Sequence, residues 1–341
     1  MAPVVQRLLQ PTKAVQLGLA FHLIVKPALL SIYEDKSGNC LTLREGVCVQ
    51  LNGAPDRSVP LAASVAVIIP TVGRASLEAA VASVASQEPH PDRIIVVDDS
   101  SDGLPPRRLE SFRTVTVVRG ARKGPAAARN VGLEYVRAAR WIAFLDDDDL
   151  WLPSKLRKQL ELGARSPNSI ISCASLVIDG AGNSRLRPSV FPDPQMSILE
   201  MFFGKWRMRG SPYYIPTASL LVPTAQIDTI RFDERLAARE DVWWVHCLQS
   251  RGLNLLQLHE ALVIVNSSGQ LSRGASRDAL LDQLDWAKRL EGYSPGFGRN
   301  FLAGVATRDA LLQRRFIDAA RLTRQAFGSK DRNWCTAQGR E

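Results

Sequence analysis

Short apolar runs recur along the middle of the chain, beginning at position 65. Four of them are rich in β-branched residues, namely VAVIIP (65–70), RIIVV (93–97), TVTVV (114–118) and WIAFL (141–145). Uninterrupted apolar runs of about five residues are typical of strands that are buried on both faces of a sheet. The pattern therefore predicts a sheet whose central strands lie between positions 65 and 145.

The segments between these runs show helical periodicity instead. Apolar residues follow helical spacing in two stretches, first Leu77, Ala80, Val81 and Val84, then Ala128, Val131, Tyr135 and Ala139. Strands that alternate with helices predict βαβ units, and hence an α/β fold with a mostly parallel sheet covered by helices. Ligands of such sheets bind at the carboxyl ends of the strands, which is where two acidic clusters of this chain fall.

Three further segments surround this pattern. Residues 1–60 predict an N-terminal extension, with an apolar helix followed by a small hairpin around Ser37-Gly38-Asn39. Residues 151–270 are less regular, with a helix over 155–164, strand-like runs over 169–179, 217–222 and 253–265, and a helix from about Arg239. Residues 271–341 predict a helical C-terminal segment in which Leu312 and Phe316 oppose several arginines. We therefore divide the chain into an extension (1–60), a main domain (61–270, with halves 61–150 and 151–270) and a helical segment (271–341).

Charge and cysteine content narrow the class of protein. Lys and Arg number 43 against 34 Asp and Glu, a net charge of +9, which suits an anionic partner such as a nucleotide, a lipid surface or nucleic acid. The five cysteines are widely spread and form no C-x-x-C pair, which argues against a disulfide scaffold or a zinc finger and favours a reducing compartment.

The N-terminal sequence predicts the compartment. It lacks the pattern of a secretory signal peptide, and Lys26 and Pro27 interrupt the apolar stretch over 15–33. We therefore expect a cytoplasmic protein without a bilayer span. Peripheral contact with the inner face of the cell membrane stays open as an alternative.

Four adjacent carboxylates, Asp146-Asp147-Asp148-Asp149, directly follow the apolar run 141–145. Carboxylates this close repel one another, and a hard divalent cation would relieve the repulsion. Mg²⁺ and Mn²⁺ prefer one or two protein carboxylates together with phosphate oxygens and water, so the run predicts a site for a metal and a diphosphate. The alternative is a solvated acidic turn at the start of a helix.

Two more acidic clusters are candidates for chemistry. Asp98 and Asp99 follow the run 93–97 and could accept hydrogen bonds from a base or a ribose, although a simple turn uses the same residue types. Glu240 and Asp241 open a predicted helix that continues with Trp243 and Trp244. A carboxylate partly shielded from water there could act as a general base, whereas the alternative is a structural acid pair with the tryptophans in the core.

Four sequence blocks together resemble a known family. VAVIIPTVGR, IIVVDDSSDG, GPAAARNVGL and WIAFLDDDDLWLPSKL, in this order, resemble the nucleotide-sugar-binding half of family 2 glycosyltransferases with the GT-A fold, over roughly residues 64–270. The resemblance implies inverting transfer of a sugar from a nucleotide-diphosphate donor, expected to be UDP-linked, with Mn²⁺ or Mg²⁺ as cofactor. The acceptor would be a hydroxyl of a glycan, a lipid-linked or a peptide acceptor in bacterial-type polysaccharide or glycoconjugate synthesis, with no nucleic acid involved.

The resemblance also implies roles for individual residues. Asp148 and Asp146 would bind the metal, and Asp241, beside Glu240, would be the base that takes the acceptor proton. The residues expected to contact the nucleotide sugar are Pro70, Thr71, Arg74, Asp98, Asp99, Arg129, Asp146, Asp147 and, in a looser match, Arg273. The sequence departs from the family where Val72-Gly73 replaces an aromatic residue, which would remove a stacking partner for the base.

Other classes of function have less support. The chain has no G-x-G-x-x-G motif after a strand, no G-x-x-x-x-G-K-[ST] loop and no H-E-x-x-H motif. Two alternatives stay open. One is a nucleotidyltransferase built on a similar sheet, and the other is a non-catalytic membrane-binding or protein-binding module with a degenerate transferase domain.

Overall fold

The computed structural model describes residues 64–105, 108–136, 138–205, 211–227, 229–236, 238–267, 279–312 and 314–327, and three short strands nearer the N-terminus. These strands, β1 (Tyr33–Glu34), β2 (Cys40–Thr42) and β3 (Cys48–Gln50), pair antiparallel in that order. The first two of these strands flank the turn of the hairpin predicted in the extension, and a third strand follows them. The predicted apolar helix before it lies outside the described residues.

The first half of the main sheet is parallel, as predicted. Its strands are β4 (Val65–Thr71), β5 (Arg93–Asp98), β6 (Val115–Arg119) and β7 (Trp141–Phe144), in the spatial order β6-β5-β4-β7. Helices α1 (Leu77–Ala85) and α2 (Pro125–Leu133) connect them. All seven residues of β4 are buried because the strand has neighbours on both edges and side chains packed on both faces.

Two local predictions in this half are wrong. Strand β6 is not buried on both faces, because among the described strands it lies at the edge and pairs with β5 alone, which leaves Val117 48% exposed. Helix α2 ends at Leu133, so Tyr135 and Ala139 lie beyond it, and Tyr135 is exposed. The periodicity of these residues therefore came from a helix followed by a turn.

The second half of the sheet is mixed in direction. It contains β8 (Leu150–Trp151), β9 (Ser169–Ile178), β10 (Ser184–Arg187), β11 (Leu221–Pro223) and β12 (Asn254–Asn266). The order continues β7-β11-β9-β12-β8, with β12 parallel to β9 and β11 antiparallel to both of its neighbours. The helices of this half are α3 (Lys155–Arg165), α4 (Ile198–Phe203) and α5 (Glu240–Gln249).

The C-terminal segment is helical, as predicted, and it packs on α5. It comprises α6 (Ala279–Tyr293), α7 (Phe297–Phe301), a π-helical turn (Leu302–Ala306), α8 (Thr307–Leu312) and α9 (Phe316–Phe327). Trp286 of α6 meets Trp243 of α5 edge to face, with ring centroids 5.5 Å apart. The C-terminal helices thus share one hydrophobic core with the sheet. Among the described helices, none is both long enough and apolar enough to cross a bilayer.

Two glycines set the position of α2 against the sheet. Gly124, with φ of +93°, precedes Pro125 at the first turn of the helix, and this backbone angle favours glycine. Gly132 lies against β4, where a Cβ atom would come within 2.5 Å of Cγ2 of Ile68. This close approach brings Arg129, between the two glycines, to the edge of the sheet where the acidic residues lie.

Candidate functional site

The carboxyl ends of β4, β5 and β7 lie side by side and carry polar residues. Thr71 ends β4, Asp98 ends β5, and the acidic run begins two residues after β7. Because the three strands are parallel neighbours, their ends meet at one edge of the sheet. This edge is the candidate active site.

The acidic run is a turn with two buried and two partly exposed carboxylates. Asp147, only 1% exposed, accepts a hydrogen bond from Thr71 Oγ1 at 2.5 Å and is ion-paired to Arg74. Asp149 is also buried and accepts a hydrogen bond from the Asn266 amide at 2.9 Å. Asp146 and Asp148 alternate with them and are partly exposed. The alternation leaves these two carboxylates as the positions within reach of a ligand.

Arg129 joins the acidic run to helix α5. Its side chain is 1% exposed, and its Nη2 donates to Asp146 Oδ1 at 2.7 Å while its Nη1 donates to Glu240 Oε1 at 2.8 Å. Burial works against the charged guanidinium, but Asp146, Glu240 and Asp241 outweigh it and raise the pKa of Arg129. A single buried cation therefore holds together two acidic elements that are far apart in the sequence.

Asp241 lies next to this ion pair at the start of α5. Its Oδ2 accepts a hydrogen bond from Thr217 Oγ1 at 3.2 Å, and its Oδ1 accepts one from the Val242 amide at 2.8 Å. Burial and the neighbouring Glu240 carboxylate raise the pKa of Asp241 to about 6, against the opposing effect of Arg129. Asp241 is thus ionised at neutral pH and more basic than an ordinary aspartate, as a proton acceptor needs to be.

The two acids after β5 organise the loops around them. Asp98 accepts hydrogen bonds from Ser100 Oγ at 2.5 Å, from the Leu104 amide at 2.8 Å and from Arg119 Nη1 at 2.6 Å. Burial opposes ionisation of Asp98, but these hydrogen bonds prevail and lower its pKa. Asp99 accepts hydrogen bonds from the amides of Arg122 and Gly124 and so holds the loop that leads into α2.

The structure brings most of the predicted site residues to this edge. Pro70 is buried within β4, and Thr71 and Arg74 both contact Asp147. Arg273 lies outside the described residues.

The two tryptophans that follow Asp241 pack against other aromatic side chains. Trp244 is fully buried in the core and packs against Phe144 and Phe232, whereas Trp243 is partly buried and packs against Trp286 at the border of the core. Sequence reasoning missed Thr217, which lies 24 positions before Asp241 in a segment without a motif.

The described residues contain no cluster of three or more His, Cys, Asp or Glu side chains arranged to bind a metal ion. Asp146 and Asp148 could supply one or two carboxylate ligands. Mg²⁺ and Mn²⁺ take most of their remaining ligands from phosphate oxygens and water at sites of this kind. The edge thus has the donor set for a cation that binds together with a diphosphate.

Comparison with known proteins shows a family to which part of the chain is similar. Residues 66–222 match the family described as Glycosyl transferase family 2. This segment is therefore similar to a family 2 glycosyltransferase domain. The matched region includes the carboxyl ends of β4, β5 and β7, Arg129 and the acidic run, whereas Glu240 and Asp241 follow it and are joined to it through Arg129.

Relatives of the family 2 domain are proteins of polysaccharide synthesis. A succinoglycan biosynthesis protein, ExoW of Rhizobium meliloti, is 40% identical over 86 residues, or 24% of this chain and 27% of the relative. The glucosyltransferase WfgD of Escherichia coli, named for transfer from UDP-Glc to α-D-GlcNAc-diphosphoundecaprenol, is 34% identical over 102 residues, or 29% of this chain and 40% of the relative. The matched segments thus span about a quarter to two fifths of these curated relatives.

A solved structure confirms the fold beyond the matched segment. Residues 1–349 of TarS from S. aureus, determined with UDP-GlcNAc, align with a TM-score of 0.52 and 18% identity, over 77% of this chain and 81% of that chain. The shared architecture is an α/β sheet with a helical C-terminal region, as in GT-A glycosyltransferases. The predicted fold class is therefore confirmed.

Proposed function

We propose that the protein transfers a sugar from a uridine diphosphate sugar to an acceptor hydroxyl, with inversion at the anomeric carbon and with Mn²⁺ or Mg²⁺ at the acidic run. The observation that carries this proposal is the bridge through Arg129, which binds Asp146 and Glu240 at once. Because one guanidinium spans both, a donor diphosphate at the acidic run would place its sugar beside the start of α5. Asp241 lies at that position.

The donor side of the site fits a nucleoside diphosphate and a cation. Asp146 and Asp148 would hold the metal, since their carboxylates are partly exposed at the sheet edge whereas Asp147 and Asp149 are buried. A bound cation would neutralise the charge that develops on the departing diphosphate. The family match and a relative named for a UDP-Glc donor support the choice of a uridine nucleotide.

Asp241 is the proposed general base. The acceptor oxygen forms a bond to the anomeric carbon, the bond from that carbon to the diphosphate oxygen breaks, and the bonding electron pair leaves with the nucleoside diphosphate. The acceptor proton passes to Asp241, whose raised pKa of about 6 keeps it ionised at neutral pH yet able to accept a proton. A single displacement with one base inverts the anomeric centre.

The experiment compares Asp241→Asn with Asp285→Asn, which alters a carboxylate that is 77% exposed on α6. An amide cannot take the proton, so Asp241→Asn is expected to lower turnover by roughly 10²–10⁴, with UDP-sugar affinity and melting temperature near wild type. The control variant should keep full turnover. A folded Asp241→Asn protein with near-normal turnover would remove Asp241 from the mechanism, because a purely structural role predicts a loss of only about 1 kcal/mol in stability.

We further propose a lipid-linked acceptor at an anionic membrane. Leu312, Phe316 and Ile317, at the junction of α8 and α9, are 63%, 64% and 72% exposed, and Arg321 and Arg324 on α9 are exposed as well. Exposed apolar side chains beside arginines suit a surface of anionic lipid. A relative named for a diphosphoundecaprenol acceptor supports this choice.

The junction also lies near the proposed base. Asp309 of α8 is ion-paired at 3.0 Å to Arg239, which precedes Glu240 in the chain. The test is flotation with anionic and neutral vesicles, comparing Phe316→Ser/Ile317→Ser with Leu281→Ser, which alters another exposed leucine. Binding should need anionic lipid and should be lost only in the double variant. Equal flotation with anionic and neutral vesicles would contradict the proposal.

A further inference from the structure

Thr217 is the one side-chain hydroxyl that contacts Asp241 within the described residues. It is buried, with its Oγ1 3.2 Å from Asp241 Oδ2, while the Val242 amide donates to Oδ1 at 2.8 Å. With one donor on each oxygen, the carboxylate cannot rotate without losing a hydrogen bond. Each oxygen keeps a further lone pair for the proton of an incoming hydroxyl.

The backbone that presents Thr217 is itself held firmly. Thr217 begins a single 3₁₀ turn, Thr217–Ser219, which is separated from β11 by one residue. Trp151 Nε1 donates to the Ala218 carbonyl at 3.0 Å, and Gln159 Nε2 donates to the Ser219 carbonyl at 2.7 Å. A turn anchored at consecutive carbonyls has little freedom to move its first residue.

The anchors continue into the core behind the turn. Lys155 Nζ is fully buried, donates to Gln159 Oε1 at 2.7 Å and lies 3.8 Å from the ring centroid of Trp151. Trp151 is two residues beyond the acidic run. The side chains that anchor the turn of Thr217 therefore come from the segment that follows the proposed metal-binding turn. The network therefore ties the orientation of the Asp241 carboxylate to the same part of the sheet that would hold the donor.

We propose that Thr217 is a positioning residue, whose hydroxyl holds the Asp241 carboxylate in the orientation that accepts the proton of the acceptor hydroxyl. The inference rests on the proposed role of Asp241. It assigns to Thr217 a function in the reaction beyond filling space below the sheet edge.

The hydrogen bond from Thr217 to Asp241 should affect the pH dependence of activity. The charged groups around Asp241 are Glu240 on the same helix, Arg129 from α2 and Arg239 before the helix. Burial and Glu240 raise the pKa of Asp241, and the hydrogen bond from Thr217 is among the contacts that lower it. Loss of the hydroxyl should therefore raise that pKa, and activity, which needs ionised Asp241, should fall away at a higher pH than in the wild type.

The experiment compares Thr217→Val, which keeps the shape and removes the hydroxyl, with Thr217→Ser, which keeps the hydroxyl. For Thr217→Val we expect kcat to fall about tenfold or more, with KM for the donor sugar unchanged, because a misaligned base costs rate and not donor binding. The acidic limb of its kcat profile should move up by about half a pH unit to one pH unit. Thr217→Ser should keep kcat and the pH position of the acidic limb near those of the wild type.

A structural role alone predicts a different result. Thr217→Val would then lower the melting temperature, while the acidic limb and the kcat of the folded protein stayed as in the wild type, and this outcome would overturn the inference. Asp241→Asn, assayed in parallel, separates the two proposals. If Asp241→Asn is inactive and Thr217→Val is normal, only the positioning role fails, whereas an active Asp241→Asn protein overturns the proposed base.

Discussion

The bridge through Arg129 leads to the sharpest prediction, the effect of Arg129→Met. The substitution keeps much of the side-chain volume and leaves Asp146 and Glu240 facing each other without their shared cation. Removal of one partner of a buried ion pair costs about 3–5 kcal/mol, because the remaining charge stays buried without compensation. The Asp146 side chain is 25% exposed and can recover water, so we expect the lower end of that range, about 3 kcal/mol.

The assay is the free energy of unfolding from urea denaturation, with Arg231→Met as the matched control. Arg231 makes an ion pair of similar length with Glu134, but both side chains are substantially exposed. Surface pairs contribute about 0–1 kcal/mol, so the control should lose little stability. Because Arg129 also lowers the pKa of Asp241, its removal should raise the pH at which activity falls away in acid.

A double variant tests the reason for the loss. If the cost comes from an uncompensated carboxylate, adding Glu240→Gln to Arg129→Met should recover part of the lost stability. The reasoning is refuted if Arg129→Met loses no more than Arg231→Met. It is also refuted if the losses in unfolding free energy caused by Arg129→Met and Glu240→Gln simply add in the double variant.

Three further predictions concern the metal, a buried lysine and a glycine. Asp148→Ala should abolish the Mn²⁺-dependent part of UDP binding, and calorimetry that gives equal affinity with and without Mn²⁺ would contradict this. Burial lowers the pKa of Lys155 to about 7, while an unfolded lysine titrates near 10.4, so the unfolded chain binds more protons between these values and stability should rise with pH across them. Lys155→Met should lose most of that rise in urea denaturation at several pH values. Gly132→Ala would push a Cβ against Ile68 and should lower stability by about 1–3 kcal/mol. Gly292→Ala, which has open space around the new Cβ, should raise stability by up to about 1 kcal/mol. Equal melting temperatures of the two variants would contradict the packing argument.

The strands of the first half could be predicted from the sequence because burial on both faces leaves a local signal. Runs such as 65–70 and 94–97 are apolar at every position, and this holds whichever neighbours the strand later acquires. The placement of Asp98 and Asp146 at strand ends followed from the same signal, since each directly follows such a run. The family resemblance then supplied roles that the local pattern could not.

Only the tertiary structure decided which side chains contact one another. Arg129 and Glu240 are 111 positions apart, and Thr217 and Asp241 are 24 apart, with no periodicity that relates either pair. The exposed edge of β6 and the mixed order of the second half likewise depend on which strand is the neighbour. Hydrophobic spacing records which side chains avoid water, whereas hydrogen-bond partners and strand order are set by long-range packing, which a local pattern does not encode.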